Sequence, residues 1–156
     1  MAEIIELAAK IIITEEGFSA LPYYDTLNIP TYGYGFVCGK QYDPLPKISI
    51  TVEDAHKKLI ELISKNQKTF TTNPDLFDAY KNCNDNRKAL LLSMAHQIGI
   101  YGLLKFKKML AALYKSDFNE AATQIASSLA ATQTPARWKR NEQQMRSGEL
   151  NQYYGA

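Results

Sequence analysis

The chain has 156 residues, of which 46% are hydrophobic and 22% are charged, and its formal net charge is +2. A chain of this length and composition can bury about two-thirds of its unfolded surface around one core, which excludes a disordered or extended repeat protein. Residues 1–80 hold 7 Lys/Arg against 11 Asp/Glu (net −4) and residues 81–156 hold 11 against 5 (net +6), so the second half should favour an anionic partner if its charges are not simply solvated.

The first predicted element is a helix from Glu3 to Glu15, in which apolar residues recur at helical spacing and which Gly17 should end. The longest apolar run in this segment is three isoleucines, 11–13. It predicts neither a signal peptide nor a membrane span, so we expect no stable membrane insertion. Cys38 and Cys83 match no metal spacing and are expected to be free thiols.

Residues 21–40 carry turn formers and aromatic residues, which predicts a hairpin or a small antiparallel sheet. Alternation along residues 31–37 would place Thr31, Gly33, Gly35 and Val37 on one side of a strand. That side would be free of large side chains, so a polymer could approach the backbone closely.

The remainder of the chain reads as helices. Thr51 with Asp54 predicts a helix start, and we expect a connecting helix over about residues 52–68. Further helices are predicted before Gly99, over residues 103–114, after Asp117, and from Thr134-Pro135 to Gly148. A small early sheet followed by helices gives an α+β fold that is mostly helical.

Two glutamates stand at the predicted end of the first helix. Glu16 shares a helical stripe with Ala9 and Ile12, so burial and the negative end of the helix dipole should both disfavour its ionisation. A general acid that works near neutral pH needs such a carboxyl group. Glu15 lies over Ile11 in the same way, so periodicity leaves the choice between the two glutamates open.

Asp25 and Thr31 complete a set that suits hydrolysis of a glycosidic bond with inversion. In that mechanism one carboxyl protonates the leaving oxygen and the other activates a water, with the two groups roughly 6.5 to 9.5 Å apart. Taken singly, Asp25 could be an ordinary turn residue, and the glycines after Thr31 could only relieve crowding between tyrosines.

These residues resemble the phage-type lysozymes (endolysins) of glycoside hydrolase family 24, the family of the T-even bacteriophage enzymes. The shared signature is Glu16-Gly17, an aspartate nine residues after the glutamate, a threonine six residues further, and Gly33-Tyr34-Gly35. The segments NRKALLLSMAHQIG, FNEAATQIA, QTPARWKR and RSGELNQYY also follow the order of that family.

The resemblance implies one lysozyme-like domain over residues 1–156. Its catalytic lobe would span about 14–51, its connecting helix about 52–68, and its helical lobe about 69–156 together with the first helix. The resemblance also implies Glu16 as the general acid, with Asp25 and Thr31 positioning the water. The residues implied to bind substrate are Gln97, Arg137, Val37, His96 and Gln124.

Phe36 departs from the pattern, because the family usually has a histidine there that makes a supporting ion pair. We therefore expect activity to survive and stability at acid pH to differ. Trp138 is interpreted as core packing, and His96 as a hydrogen-bonded structural histidine more than a proton shuttle.

The resemblance implies a bacteriolytic muramidase that cuts the β-1,4 bond between N-acetylmuramic acid and N-acetylglucosamine in peptidoglycan glycan strands. The alternative is a non-catalytic peptidoglycan-binding module on the same scaffold. We expect a monomer with no metal, no cofactor and no nucleic-acid partner. The resemblance implies production in the host bacterial cytoplasm without a signal peptide and action in the periplasm after release through a holin. Attachment to a virion or delivery by a bacterial secretion system would be equally consistent with the sequence.

Overall fold

The computed structural model describes residues 2–155 of the chain. The helices of this part are α1 (Ala2–Glu16), α2 (Val52–Thr72), α3 (Pro74–Lys81), α4 (Asp85–Leu104), α5 (Lys107–Tyr114), α6 (Phe118–Ala126), α7 (Leu129–Gln133) and α8 (Pro135–Ser147), followed by a 3₁₀ turn at Gln152–Tyr154. The strands are β1 (Ser19–Tyr24), β2 (Pro30–Gly33) and β3 (Phe36–Val37), and they form one antiparallel sheet in that order. The predicted α+β fold, mostly helical, is confirmed.

The connecting helix α2 begins where the sequence predicts. Thr51 is its N-cap, and the hydroxyl oxygen of Thr51 accepts a hydrogen bond from the backbone N–H of Asp54 at 3.1 Å. The helix runs four residues beyond the predicted end at 68, because Phe70 remains fully buried in the core. Asn73 then ends α2 and caps α3, so the two helices meet at one residue.

The core lies where α1, α2 and α8 pack against α4. Residues 89–95 of α4 are all buried, which makes this helix the centre of the molecule. Trp138 is fully buried and stacks on Phe106 with the ring centroids 5.8 Å apart, which confirms its interpretation as core packing. Gly99 ends the apolar part of α4 as predicted, because its φ of 76° and ψ of 161° are not helical. Beyond this kink a second helical segment continues to Leu104.

The sheet differs from its prediction between residues 31 and 37. Thr31 pairs with Val37 and Tyr32 pairs with Phe36, so this segment is two strands joined by a tight turn and not one strand. The turn is possible because Gly33 and Gly35 adopt positive φ angles of 62° and 77°. The expected side free of large side chains along one strand is therefore wrong, since the glycines lie in the turn.

Among residues 2–155, no single helix is long and apolar enough to cross a membrane. Only α4 and α5 taken together, bent by 97° at their junction, reach that length and hydropathy. Cys38 is half-buried and Cys83 is buried, and both are free thiols as predicted.

Candidate active site

A cleft of about 610 Å³ runs between the sheet and the helices α4, α7 and α8. The end of α1 contributes Glu16 to it, and the sheet side contributes Asp25, Thr31 and Val37. Helix α4 contributes His96 and Gln97, while α8 contributes Arg137. Seven of the eight site residues expected from the sequence therefore share one cleft. Their separations along the chain range up to 121 residues.

Glu16 is held by an arginine on the far side of the cleft. The Nη1 atom of Arg137 donates to the carboxylate Oε1 at 2.5 Å, and the side chains are 8% and 19% exposed, respectively. A charged hydrogen bond in so dry a position is a strong orienting contact. Sequence patterns did not predict this contact, because its two residues lie 121 positions apart in the chain.

Gly35 lies against the same carboxyl group. A Cβ atom built on Gly35 would come within 2.7 Å of the Cδ atom of Glu16, closer than carbon atoms in proteins approach. The glycine is therefore required by this close contact as well as by its positive φ. Gly35 thus lies against the Oε2 side of the carboxyl group, while Arg137 holds Oε1.

We expect Gly35→Ala to lower activity by roughly 10- to 100-fold, because the added methyl displaces Glu16. The matched control is Gly17→Ala. Gly17 also has a positive φ, 65°, but no atom lies within 4 Å of its added Cβ. Both variants should lose about 1 to 2 kcal/mol of stability from the strained φ, so thermal unfolding should be similar and only activity should separate them. Equal activities would show that Gly35 does not position Glu16.

Asp25 lies just beyond β1, where its side chain organises a turn. The Oδ1 atom accepts hydrogen bonds from the backbone N–H groups of Leu27 at 2.8 Å and Ile29 at 2.9 Å. The hydrogen bonds within residues 2–155 use only Oδ1, which leaves Oδ2 available to a water in the cleft. Asp25 is thus both a turn residue and a fixed, half-buried carboxylate.

Thr31 is buried on β2 with its hydroxyl group oriented by the backbone. The hydroxyl donates to the carbonyl oxygen of Ile29 at 2.8 Å. Because its proton is engaged there, the Oγ1 atom faces other groups as a hydrogen-bond acceptor. A water beside Thr31 would therefore donate to it.

His96 and Gln97 stand side by side on the α4 wall. The Nε2 atom of His96 donates to the carbonyl oxygen of Tyr34 at 2.8 Å, and burial lowers the pKa of His96 below its ordinary value. The interpretation as a hydrogen-bonded structural histidine is therefore favoured. The Nε2 atom of Gln97 donates to the hydroxyl of Thr134 at 3.2 Å. Val37, on β3, is 66% exposed.

Gln124 lies outside this cleft, although the sequence groups it with the substrate-binding residues. It is on α6, and its Nε2 atom donates to Glu120 one helical turn away at 2.8 Å. Its groove is formed with the start of α5 and residues 127–128. Gln124 is therefore the one expected site residue that does not line the cleft of Glu16.

Tyr23 also belongs to the cleft, and sequence reasoning missed it. Burial raises the pKa of Tyr23, and the negative charges of Glu16 and Asp25 raise it further. Tyr23 is therefore close enough to both carboxyl groups to sense their charge. The sequence could have indicated this, because Tyr23 is on β1 two residues before Asp25, and alternate residues of an extended segment share a face.

Glu15, the other candidate acid, also lines the cleft, but both of its carboxylate oxygens are engaged in an ion pair with Arg140. Arg140 donates to its two carboxylate oxygens at 2.8 Å each, and the hydroxyl of Tyr154 donates at 2.5 Å. Burial alone would raise the pKa of Glu15. The hydrogen bonds from Arg140 and Tyr154 and the charges of Arg137 and Arg140 outweigh that effect and hold the pKa below its ordinary value.

We expect Glu15→Gln to lower the free energy of unfolding by about 3 kcal/mol near neutral pH. The reason is that the guanidinium of Arg140 loses its negative partner in a mostly buried site. The pKa of Glu15 is lower in the folded state than its unfolded value near 4.5. The ion pair therefore stabilises the fold fully above pH 4.5, and this stabilisation is lost as the pH falls through the folded-state pKa. Thermal unfolding of wild type and variant should therefore differ at pH 6 and converge towards pH 2. A difference that did not change with pH would contradict this assignment.

The chain matches the family model described as phage lysozyme over residues 14–146. It is 29% identical to Probable T4-type lysozyme 2 of Dictyostelium discoideum, with 89% of this chain and 93% of that protein covered. Probable T4-type lysozyme 1 of the same organism is 31% identical, with 67% of this chain and 61% of that protein covered. The pre-baseplate central spike protein Gp5 of Enterobacteria phage T4 is 26% identical, and the match covers 93% of this chain but only 28% of the spike protein.

Proposed function

The chain belongs to the phage lysozyme family, and we propose that it is a muramidase. Its substrate would be the β-1,4 bond between N-acetylmuramic acid and N-acetylglucosamine in bacterial peptidoglycan, hydrolysed with inversion. One observation carries the proposal: two carboxyl groups and an oriented hydroxyl, from Glu16, Asp25 and Thr31, line a single open cleft. A glycan-binding module has no need of that set.

Glu16 is the general acid in this proposal. Its proton passes to the glycosidic oxygen as the bond from that oxygen to C1 of N-acetylmuramic acid breaks. The carboxylate that remains carries a negative charge, which the guanidinium of Arg137 at 2.5 Å stabilises. Gly35 and Arg137 hold the carboxyl from two sides, so it meets the substrate without reorganisation.

Asp25 and Thr31 hold the attacking water. Because the Thr31 hydroxyl already donates to Ile29, the water donates one hydrogen bond to Thr31 Oγ1 and the other to Asp25 Oδ2. A lone pair of its oxygen then points at C1 of the sugar. As the new C–O bond forms, Asp25 takes the proton of the water, and exchange with solvent restores both carboxyl groups.

The walls of the cleft give the substrate its other contacts. Val37 supplies an exposed apolar surface on the sheet side, and Gln97 and His96 form the facing wall on α4. We propose that these residues contact the glycan strand beside the cleaved bond. Gln124 lines a different groove and is not included in this group.

The role of a phage endolysin in host lysis, with passage to the periplasm through a holin, stays a proposal that rests on the family resemblance. The relatives described above come from an amoeba and from a phage spike protein, and their names favour no one biological setting. The chemistry proposed for the cleft is the same in each.

Digestion of purified peptidoglycan tests the proposal, with the released fragments analysed by mass spectrometry. We expect fragments that end in reducing N-acetylmuramic acid from the wild type. Fragments with anhydro ends would indicate a lytic transglycosylase, which needs no positioned water. Binding to the polymer without release of any fragment would indicate the binding module.

A further inference from the structure

The buried face of α8 is polar where a helix of this kind is normally apolar. Arg137, Asn141 and Gln144 occupy positions i, i+4 and i+7 of one stripe, and they are 7%, 1% and 1% exposed. Such a stripe ordinarily carries the apolar residues that pack against the core. Polar side chains in these positions need hydrogen-bond partners, because a buried polar group without one lowers the free energy of unfolding by about 1 to 3 kcal/mol.

Gln144 has its partners. Its Nε2 atom donates to the carbonyl oxygen of Asn86 at 2.9 Å, and its Oε1 atom accepts from the backbone N–H of Asn151 at 3.2 Å. It ties α8 to the start of α4 and to the C-terminal turn. The structure thus accounts for this residue without reference to the cleft.

Arg137 has partners for only part of its guanidinium. Nη1 donates to Glu16, and Nη2 donates to the hydroxyl of Ser93 on α4 at 3.3 Å. The third donor, the Nε–H group, is buried without a protein partner among residues 2–155. A guanidinium fixed at two points on one edge can still pivot, and a third acceptor would hold its plane.

Asn141 is the complementary group. Its amide oxygen and nitrogen are both buried without partners among the described residues. It lies four residues after Arg137 on the same helix, and side chains at that spacing are neighbours, with Cβ atoms about 5 to 6 Å apart. An acceptor without a protein partner therefore belongs to the residue one helical turn from Arg137, whose Nε–H also lacks one.

We propose that Asn141 is a positioning residue for the reaction: one buried water joins it to Arg137, accepting from the Nε–H of Arg137 and donating to Oδ1 of Asn141. The contact holds the guanidinium in the orientation that keeps Nη1 on Glu16. Asn141 touches no substrate and acts through Arg137. The inference rests on the proposed function, in which Glu16 is the general acid.

The test compares Asn141→Val with Asn141→Thr, two side chains of the same shape that differ in one acceptor hydroxyl. We expect Asn141→Val to lower kcat on soluble glycan strands by roughly 10-fold with little change in KM, because the acid is misplaced but the cleft walls are intact. Its Tm should change by only a few degrees, because the loss of the acceptor for Arg137 is offset by the removal of a buried amide. Asn141→Thr should recover most of the lost kcat. If Asn141→Val does not fold, Asn141→Leu replaces it as the variant without an acceptor and is compared with Asn141→Thr.

A merely structural role predicts a different pattern. The Tm would then change while kcat stayed at the wild-type value in all of the Asn141 variants, and that result would overturn the proposal. Trp138→Phe is the control, because it removes the neighbouring buried indole N–H, which also lacks a partner. It keeps an aromatic ring against Phe106, and its kcat should be unchanged.

A double-mutant cycle identifies the route of the effect. If Asn141 acts through Arg137, then adding Asn141→Val to Arg137→Lys should lower kcat no further, so the two effects are not additive. Additive losses would overturn the proposal. Failure of the proposed function is recognised separately: wild type would then release no reducing ends, or Glu16→Gln would be as active as wild type.

Discussion

Glu16→Gln is expected to lower the rate of peptidoglycan hydrolysis by roughly 100- to 10,000-fold, because the amide has no proton to give to the leaving oxygen. Glutamine has the same shape, and its Oε1 atom can still accept from Arg137. The fold should therefore be retained, with a Tm within a few degrees of wild type. Initial rates of reducing-end release, measured beside thermal unfolding, check both parts.

The matched control for this variant is one residue away. Glu15→Gln makes the same chemical change in a side chain that also lines the cleft but is engaged by Arg140 and Tyr154. We expect it to unfold at a lower temperature and to keep most of its activity when assayed well below its Tm. Retention of more than a few per cent of the wild-type rate by Glu16→Gln would remove Glu16 as the acid.

Asp25→Asn should produce a loss of similar size, roughly 100- to 10,000-fold in kcat, because an amide cannot take the proton of the attacking water. The turn should survive, since the amide oxygen of asparagine can accept the same two bonds that Leu27 and Ile29 donate. This substitution therefore separates the charge of Asp25 from its structural role. Asp25→Ala would remove both and should also lower the Tm.

Asp43→Asn provides the comparison. The Oδ2 atom of Asp43 accepts from the backbone N–H of Lys40 at 2.9 Å, so this aspartate also organises a turn of the same lobe, and it does not line the cleft. Its conversion to asparagine should leave activity unchanged. Equal losses in the two variants would indicate an effect of the turns on folding and would contradict a catalytic role for Asp25.

Local signals in the sequence predicted much of the fold, because capping and turn chemistry act over a few residues. Thr51 caps α2, and Gly148 ends α8 in the left-handed conformation, both as expected. The prediction of a single strand over residues 31–37 was wrong, because local sequence signals allow two structures there. Alternation was visible, but two glycines also permit a tight turn, and only the pairing of Thr31 with Val37 decides between these structures.

Part of the candidate site was likewise predictable from local sequence, and part depends on long-range contacts. The spacing of Glu16, Asp25 and Thr31 was available from the sequence through the family resemblance, and the structure brings all three to one cleft. Their roles remain predictions. The contacts that orient Glu16 could not be read from the sequence, because Arg137 is 121 residues away. No periodicity or motif connects residues at that distance.

The stereochemistry of the first product distinguishes inversion from retention of configuration. Wild type would be mixed with soluble glycan strands in an NMR tube, and the anomeric signals of the new reducing N-acetylmuramic acid ends followed before mutarotation. Attack by a water held on Asp25 and Thr31, opposite the leaving group, predicts that the α-anomer appears first. Initial formation of the β-anomer would mean retention of configuration and would contradict the account.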